Sequence, residues 1–360
     1  MNADPNGFCH RFQLRRISVL RRCLGGLLFV ILTFVAAAQP GDNEPKNATE
    51  WFQRADGQMN LRTFGSTPFR MKVVFHAFPG IVLSKKESEQ IISGDGTYEE
   101  IWVTPTKWRR EVTFGSYHAI EAQSEAGRRM QASSDYEPSR VLMLLEALLY
   151  PIPRDLVSPS LMKGHPRWKI ENGAVASLSY VKISRTSGPF DDLHAYLFLP
   201  KGELVQSIEA GIVTSWQSQI IFGGREVPRH FGVQGSTQDL LTADVTVEPA
   251  GTVDAAAFEL PGGPAEPGMT LRPIHAYEDS VSIPTMTYSL SPIDSRAFRG
   301  ILRQIIDRHG AIREVEILYS PNPDAAEQLL RLFRDNKFHP AKIDNSPCEI
   351  VLPTMFGPRQ

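Results

Sequence analysis

Side chains able to do acid–base, nucleophilic or metal chemistry are spread thinly along this chain. His76, His118, His165, His194, His230, His275, His309 and His339 stand at no spacing that groups metal ligands. There is no H-E-x-x-H, no G-x-S-x-G elbow, no phosphate-binding loop and no EF-hand loop. Gly94-Asp95-Gly96-Thr97-Tyr98-Glu99 lacks the third glycine of a dinucleotide fingerprint and reads as a turn before a strand. Asp191-Asp192 stands in a Gly/Pro-containing loop and reads as solvated. Cys9 and Cys23 lie in the N-terminal leader region, which leaves Cys348 as a small buried hydrophobe. A disulfide framework and a cysteine zinc cluster are both excluded, and neither cofactor nor metal is expected.

What remains is a binding surface. Trp108, Val112 and Phe114 share one face of a strand, and Trp216 and Phe222 share one face of another. Leu145 belongs to a Leu-rich segment, Glu137 to Tyr150, which is apolar on nearly all sides. These six residues are the candidate apolar ligand site. In Arg109-Arg110 and Arg128-Arg129 one Arg of each pair must face inward or pair with an acid.

The elements that would position these residues are mostly strands. Phe69, Met71, Val73 and Phe75 alternate with Arg70, Lys72 and His76. A meander follows through Tyr98–Val103, Trp108–Phe114, Tyr117–Gln123 and Arg128–Ala132. Pro138 opens the Leu-rich helix, and Pro151 and Pro153 end it. Strands resume at Val175–Ile183, Leu193–Leu199, Ile212–Phe222, Val227–Val233 and Leu241–Val247. The spacing of turns indicates a sandwich or barrel. Trp51 to Leu61 reads as a short helix, and residues 39–50 as a loose segment before it. Two readings of the Leu-rich helix stand side by side: a core element, or a lid over an apolar cavity.

This order is similar to the half-barrel of periplasmic lipoprotein carriers of the LolA/LolB type. The resemblance rests on the strand order, the Leu-rich helix, the Gly94-x-Gly96 entry and the Phe258-x-Leu260-Pro261 exit. It covers residues 51–260 and implies a lipid or acyl ligand.

The last third has a different rhythm. Gly300–Asp307 and Ala311–Tyr319 flank His309-Gly310 as a hairpin. Asn322, Pro323 and Asp324 suit a helix start, and Ala326, Leu329, Leu330 and Phe333 recur on one helical face. Cys348 to Leu352 form the closing strand. Ile306-Asp307-Arg308-His309-Gly310, Val315-Glu316-Ile317-Leu318-Tyr319-Ser320, Lys337-Phe338-His339-Pro340-Ala341 and Asp344-Asn345-Ser346-Pro347 resemble the C-terminal domain of TonB-type energy transducers. That resemblance implies a β-β-α-β module whose edge, Cys348, Glu349, Ile350, Val351 and Leu352, captures an extended segment of an envelope protein.

The fold class expected is therefore mainly β with α+β: an N-terminal curved antiparallel half-barrel enclosing a helix, plus a small C-terminal module. The divisions are a signal peptide at 1–38, a flexible 39–50, the half-barrel at 51–260, a linker at 261–280 and the C-terminal module at 281–360. Arg15, Arg16, Arg21 and Arg22, an apolar run from Leu24 to Val35, and Ala36-Ala37-Ala38 read as a cleaved secretory signal. The alternative is an uncleaved inner-membrane anchor facing the periplasm. In 360 residues the net charge is -2, so nothing points to nucleic acid. The expected function is a non-enzymatic binding protein of the periplasm with an apolar ligand or an envelope partner. The alternative is a periplasmic hydrolase whose active site has no recognisable motif.

Overall fold

The computed structural model describes residues 45–84, 93–134, 137–152, 154–157, 168–185, 194–209, 211–235, 238–260, 272–273, 281–282, 285–286, 300–320, 330, 337–343 and 346–356. The signal sequence and most of the C-terminal helix expected around Pro323–Phe333 lie outside these residues.

Helix α1 (Ala48–Met59) starts three residues earlier than the sequence suggests. Its cap explains the start. The Asn47 side chain accepts from Glu50 N at 3.0 Å, and the Glu50 carboxylate accepts from Lys46 N at 2.7 Å. Trp51, Phe52, Ala55 and Met59 form its buried face. Residues 47–50 are thus part of the fold and not a loose tail.

The strands β1 (Phe69–Ala77), β2 (Ile81–Ser84), β3 (Gly94–Thr104), β4 (Lys107–Phe114), β5 (Tyr117–Ser124) and β6 (Gly127–Ala132) precede helices α2 (Ser139–Leu149) and α3 (Arg154–Val157). Then come β7 (Trp168–Val175), β8 (Leu178–Arg185), β9 (His194–Phe198), β10 (Leu204–Glu209), β11 (Ile212–Phe222), β12 (Arg225–Gln234) and β13 (Asp239–Pro249). Twelve of these strands form one sheet in the order β6-β5-β4-β3-β1-β13-β12-β11-β10-β9-β8-β7. Two antiparallel meanders are joined side by side through β1 and β13. The sheet's ends, β6 and β7, do not pair with each other, so it is a curved half-barrel and not a closed one. In sequence, however, β6 is followed by β7. The connection must cross from one edge to the other, and it does so through α2 on the concave side.

Three local readings need correction. Gly94-Asp95-Gly96 is strand, not turn: Gly96 pairs with Phe75, and a Cβ there would sit 2.2 Å from the Phe75 ring. The glycine makes room for an aromatic neighbour. The expected strand Val175–Ile183 is a hairpin instead, turning at Ala176 with φ 55°. Strands β2 and β10 were not expected at all; each is short and weakly alternating.

The second sheet is built from β14 (Arg272–Pro273), β17 (Gly300–Ile306), β18 (Ile312–Tyr319) and β22 (Ile350–Phe356), with β2 added from the first half of the chain. Smaller ladders join β15 (Val281–Ser282), β20 (Ala341–Ile343) and β21 (Ser346–Cys348), and β16 (Thr285–Met286) with β19 (Phe338–His339). The β17–β18 hairpin forms as its residues dictate. Asp307 Oδ1 accepts from His309 N and Ala311 N at 2.8 Å each, and Gly310 takes φ +79° where a Cβ would collide with Phe338 O. Leu330, described as helical, is buried against Leu302, Ile306, Val315 and Ile317.

The C-terminal edge is also corrected. The sheet order is β14-β22-β17-β18-β2, so β22 lies inside it. Ile350 and Val351 pair with Ile306 and Ile305 on one side and with Arg272 and Pro273 on the other. Cys348 belongs to β21, paired with Ala341, and Glu349 separates the two strands. Pairing of Ile81–Ser84 with Ile317–Glu314 ties the second sheet to the first half of the chain. A strand also falls at Arg272–Pro273, within the stretch read as linker.

Candidate functional site

Helix α2 is held between the two sheets. Toward the half-barrel, Val141, Met143, Leu144 and Ala147 join one continuous core with Phe75, Phe114, Trp216 and Phe231. Two side chains from the sheet side tie down its last turn. Trp216 Nε1 donates to Ala147 O at 3.2 Å, and Arg62 Nη1 donates to Leu148 O at 3.1 Å. These carbonyls belong to the last turn, where helical partners run out.

On its other side α2 meets the second sheet. Leu142 packs with Ile305 and Val351. Arg140 forms a paired-fork contact with Glu316, Nη1–Oε2 2.9 Å and Nη2–Oε1 2.6 Å, and its Nε donates to Phe78 O at 3.2 Å. Arg303 Nη1 donates to Ser139 O at 3.4 Å. The helix is therefore polar toward one sheet and apolar toward the other, an asymmetry its Leu-rich sequence hides.

The six candidate ligand residues divide. Val112, Phe114 and Trp216 are buried in the large core, and Trp108, Leu145 and Phe222 pack partly buried against it. All six belong to one concave apolar surface. Phe69 stacks on Trp102 and meets Phe222 edge-on at 6.4 Å. Trp108 lies under the Arg110 guanidinium at 4.3 Å.

That guanidinium leads to a buried polar cluster not found from the sequence. Glu100, 1% exposed, accepts from Arg62 Nε at 2.9 Å, Arg110 Nε at 3.1 Å and the Tyr98 hydroxyl at 3.1 Å. Burial pushes the Glu100 carboxyl up, but Arg62 and Arg110 outweigh it and hold it at about 2. Burial pushes the Tyr98 hydroxyl up, with Glu100 adding to it. The alternation did signal that Arg109 or Arg110 must face inward: Arg110 does, while Arg109 bonds Glu111 on the outer face at 2.8 Å. Its acid partner was hidden because Glu99-Glu100 reads as a solvated pair. Likewise Arg128 pairs with Glu121, and Arg129 donates to Leu260 O at 3.0 Å.

The histidines serve the surface more than any centre. His76 bonds Asp95, His118 bonds Glu111 and His230 bonds Asp244, at 2.7, 2.8 and 3.0 Å. Among the described residues no group of His, Cys, Asp or Glu could hold a metal ion. Nor does any described helix have the length and apolarity to cross a membrane.

With α2 in place little space is left on the concave side. A cleft of about 40 Å³ persists beside its last turns, between Met143, Ala147 and Tyr150 on the helix and Ser207, Trp216 and Val233 on the sheet.

No family model and no curated protein matches this chain. Among solved structures, it is similar to a LolA-superfamily protein from Nitrosomonas europaea, at 8% identity and TM-score 0.28, covering 60% of this chain and 99% of that one. It is also similar to a DUF1329 family protein from Desulfovibrio piger, at 8% identity and TM-score 0.30, covering 59% and 95% respectively. Nothing in these comparisons supports a TonB-type C-terminal domain. At such similarity the half-barrel rests on this chain's own strand pairing.

Proposed function

We propose that this chain is a non-enzymatic binding protein of the cell envelope, working in the periplasm, whose half-barrel takes up an apolar or acyl ligand when α2 moves off the concave face. One observation carries the reading: a large unclosed sheet has its whole apolar concavity occupied by a single helix. Drug-sized ligands need pockets of about 300–1,000 Å³. The cleft of about 40 Å³ is far smaller, so uptake requires α2 to shift. The contacts to Arg140, Ser139 and Leu142 make α2 and the second sheet the unit that moves. An envelope protein acting on that sheet would thereby control the half-barrel.

The test is titration of a neutral acyl chain carrying a fluorophore into delipidated protein. Saturable uptake that changes in Leu145→Ala, with the fold retained, is the expected result. Absence of saturable uptake by the unaltered protein refutes the carrier function.

A further inference from the structure

The cleft beside α2 has a chemical character that the apolar core lacks. Its floor is Met143, Ala147, Trp216 and Val233, all buried. The only indole donor there is spent on Ala147 O. Its rim carries two carboxylates from different elements, Glu146 on α2 and Glu209 on β10. Glu209 is held in place by the hydroxyl of fully buried Tyr196, at 2.7 Å. Ser207 and Thr214 face each other across β10 and β11 and both line the cleft. Ser207 is 6% exposed, and its hydroxyl has no hydrogen-bond partner among the described residues. A buried hydroxyl with no partner is costly unless something arrives to bond it.

We infer that this cleft receives the head group of an amphipathic amine, with the ammonium between Glu146 and Glu209 and the start of the alkyl chain on the Trp216 floor. The inference rests on the carrier function above and names the class of ligand. An ammonium supplies three donors and a positive charge. Carboxylates and hydroxyl oxygens supply the acceptors. A carboxylate or phosphate head would instead meet two like charges. Arg303 is the nearby opposing cation: buried behind α2, it is attracted by Glu146 and also by Glu316. Glu209 therefore contributes most of the local negative potential. The chain beyond the first carbons has no room until α2 shifts, so head-group capture comes first and displacement of the helix second.

Calorimetric titration of the full chain with decylamine, decanol and decanoate, matched in length, tests this. Decylamine should bind about tenfold more tightly than decanol, a difference of about 1.4 kcal/mol, and decanoate more weakly than either. Glu209→Gln should bring decylamine to the level of decanol while leaving decanol unchanged, and Glu146→Gln should do so in part. If either variant loses its melting transition, salt decides instead: raising ionic strength must weaken decylamine and spare decanol. Equal affinity for all three compounds overturns the amine assignment and leaves the carrier function standing. Failure of all three to bind overturns both.

Discussion

Arg140 and Glu316 lie 176 positions apart in the chain and meet in a paired-fork salt bridge with both side chains 1% exposed. The bond joins the helix inside the half-barrel to the middle of the second sheet. Removing one partner from a buried pair strands the other and costs about 3–5 kcal/mol, whereas replacing both can be close to neutral. Arg140→Met and Glu316→Leu should each lower the unfolding free energy strongly, and the double variant should recover much of the loss. Denaturant unfolding of the three proteins checks it; additive losses would contradict direct pairing.

Gly80 approaches this pair closely. A Cβ there would lie 2.3 Å from Glu316 Oε1 and 2.5 Å from Arg140 Nη2. Those atoms are locked to each other and cannot simply swing away. Gly80→Ala should therefore cost about 1–3 kcal/mol, read by chemical unfolding. In the Arg140→Met, Glu316→Leu background the same change should be much milder.

Glu314 is 2% exposed, and burial, with Glu316 nearby, pushes its carboxyl well above the usual carboxylate range. Its folded state thus favours the protonated form. The stability this lends is full below its ordinary value of 4.5 and is lost as pH rises through the raised folded value. Glu314→Gln should flatten that decline, so the variant gains melting temperature over the unaltered protein as pH rises. A gain confined to acidic pH would contradict the assignment.

The sequence carried the alternation of β1, β4 and β13, the extent of α2 and the β17–β18 hairpin, because each follows from local periodicity or a turn residue. It concealed what depends on partners distant in sequence. Glu100 reads as a surface acid until Arg62 and Arg110 converge on it from two other elements. Arg140 and Glu316 each look like an ordinary charge on a helix or strand. The final strand comes last in the chain, yet its position inside the sheet depends on a two-residue strand, Arg272–Pro273, too short to leave a pattern. Of the six apolar ligand residues, the alternation put all on one surface but gave no sign that α2 already fills it.

That interior position of β22 changes what proline would do there. With Ile350 and Val351 paired on both sides, the Ile350→Pro and Val351→Pro substitutions should each disrupt the second sheet and lower the melting temperature. A variant that kept its melting temperature but lost an envelope partner would instead restore the edge-capture mechanism.

The most direct test of the carrier account is amide hydrogen exchange of residues 139–149, in delipidated protein, with and without a saturating neutral acyl ligand. The account predicts altered protection in α2 and in β10–β12, because the ligand must take the place of the helix on the concave face. Saturable binding with no change in α2 would contradict displacement of the helix as the route of uptake.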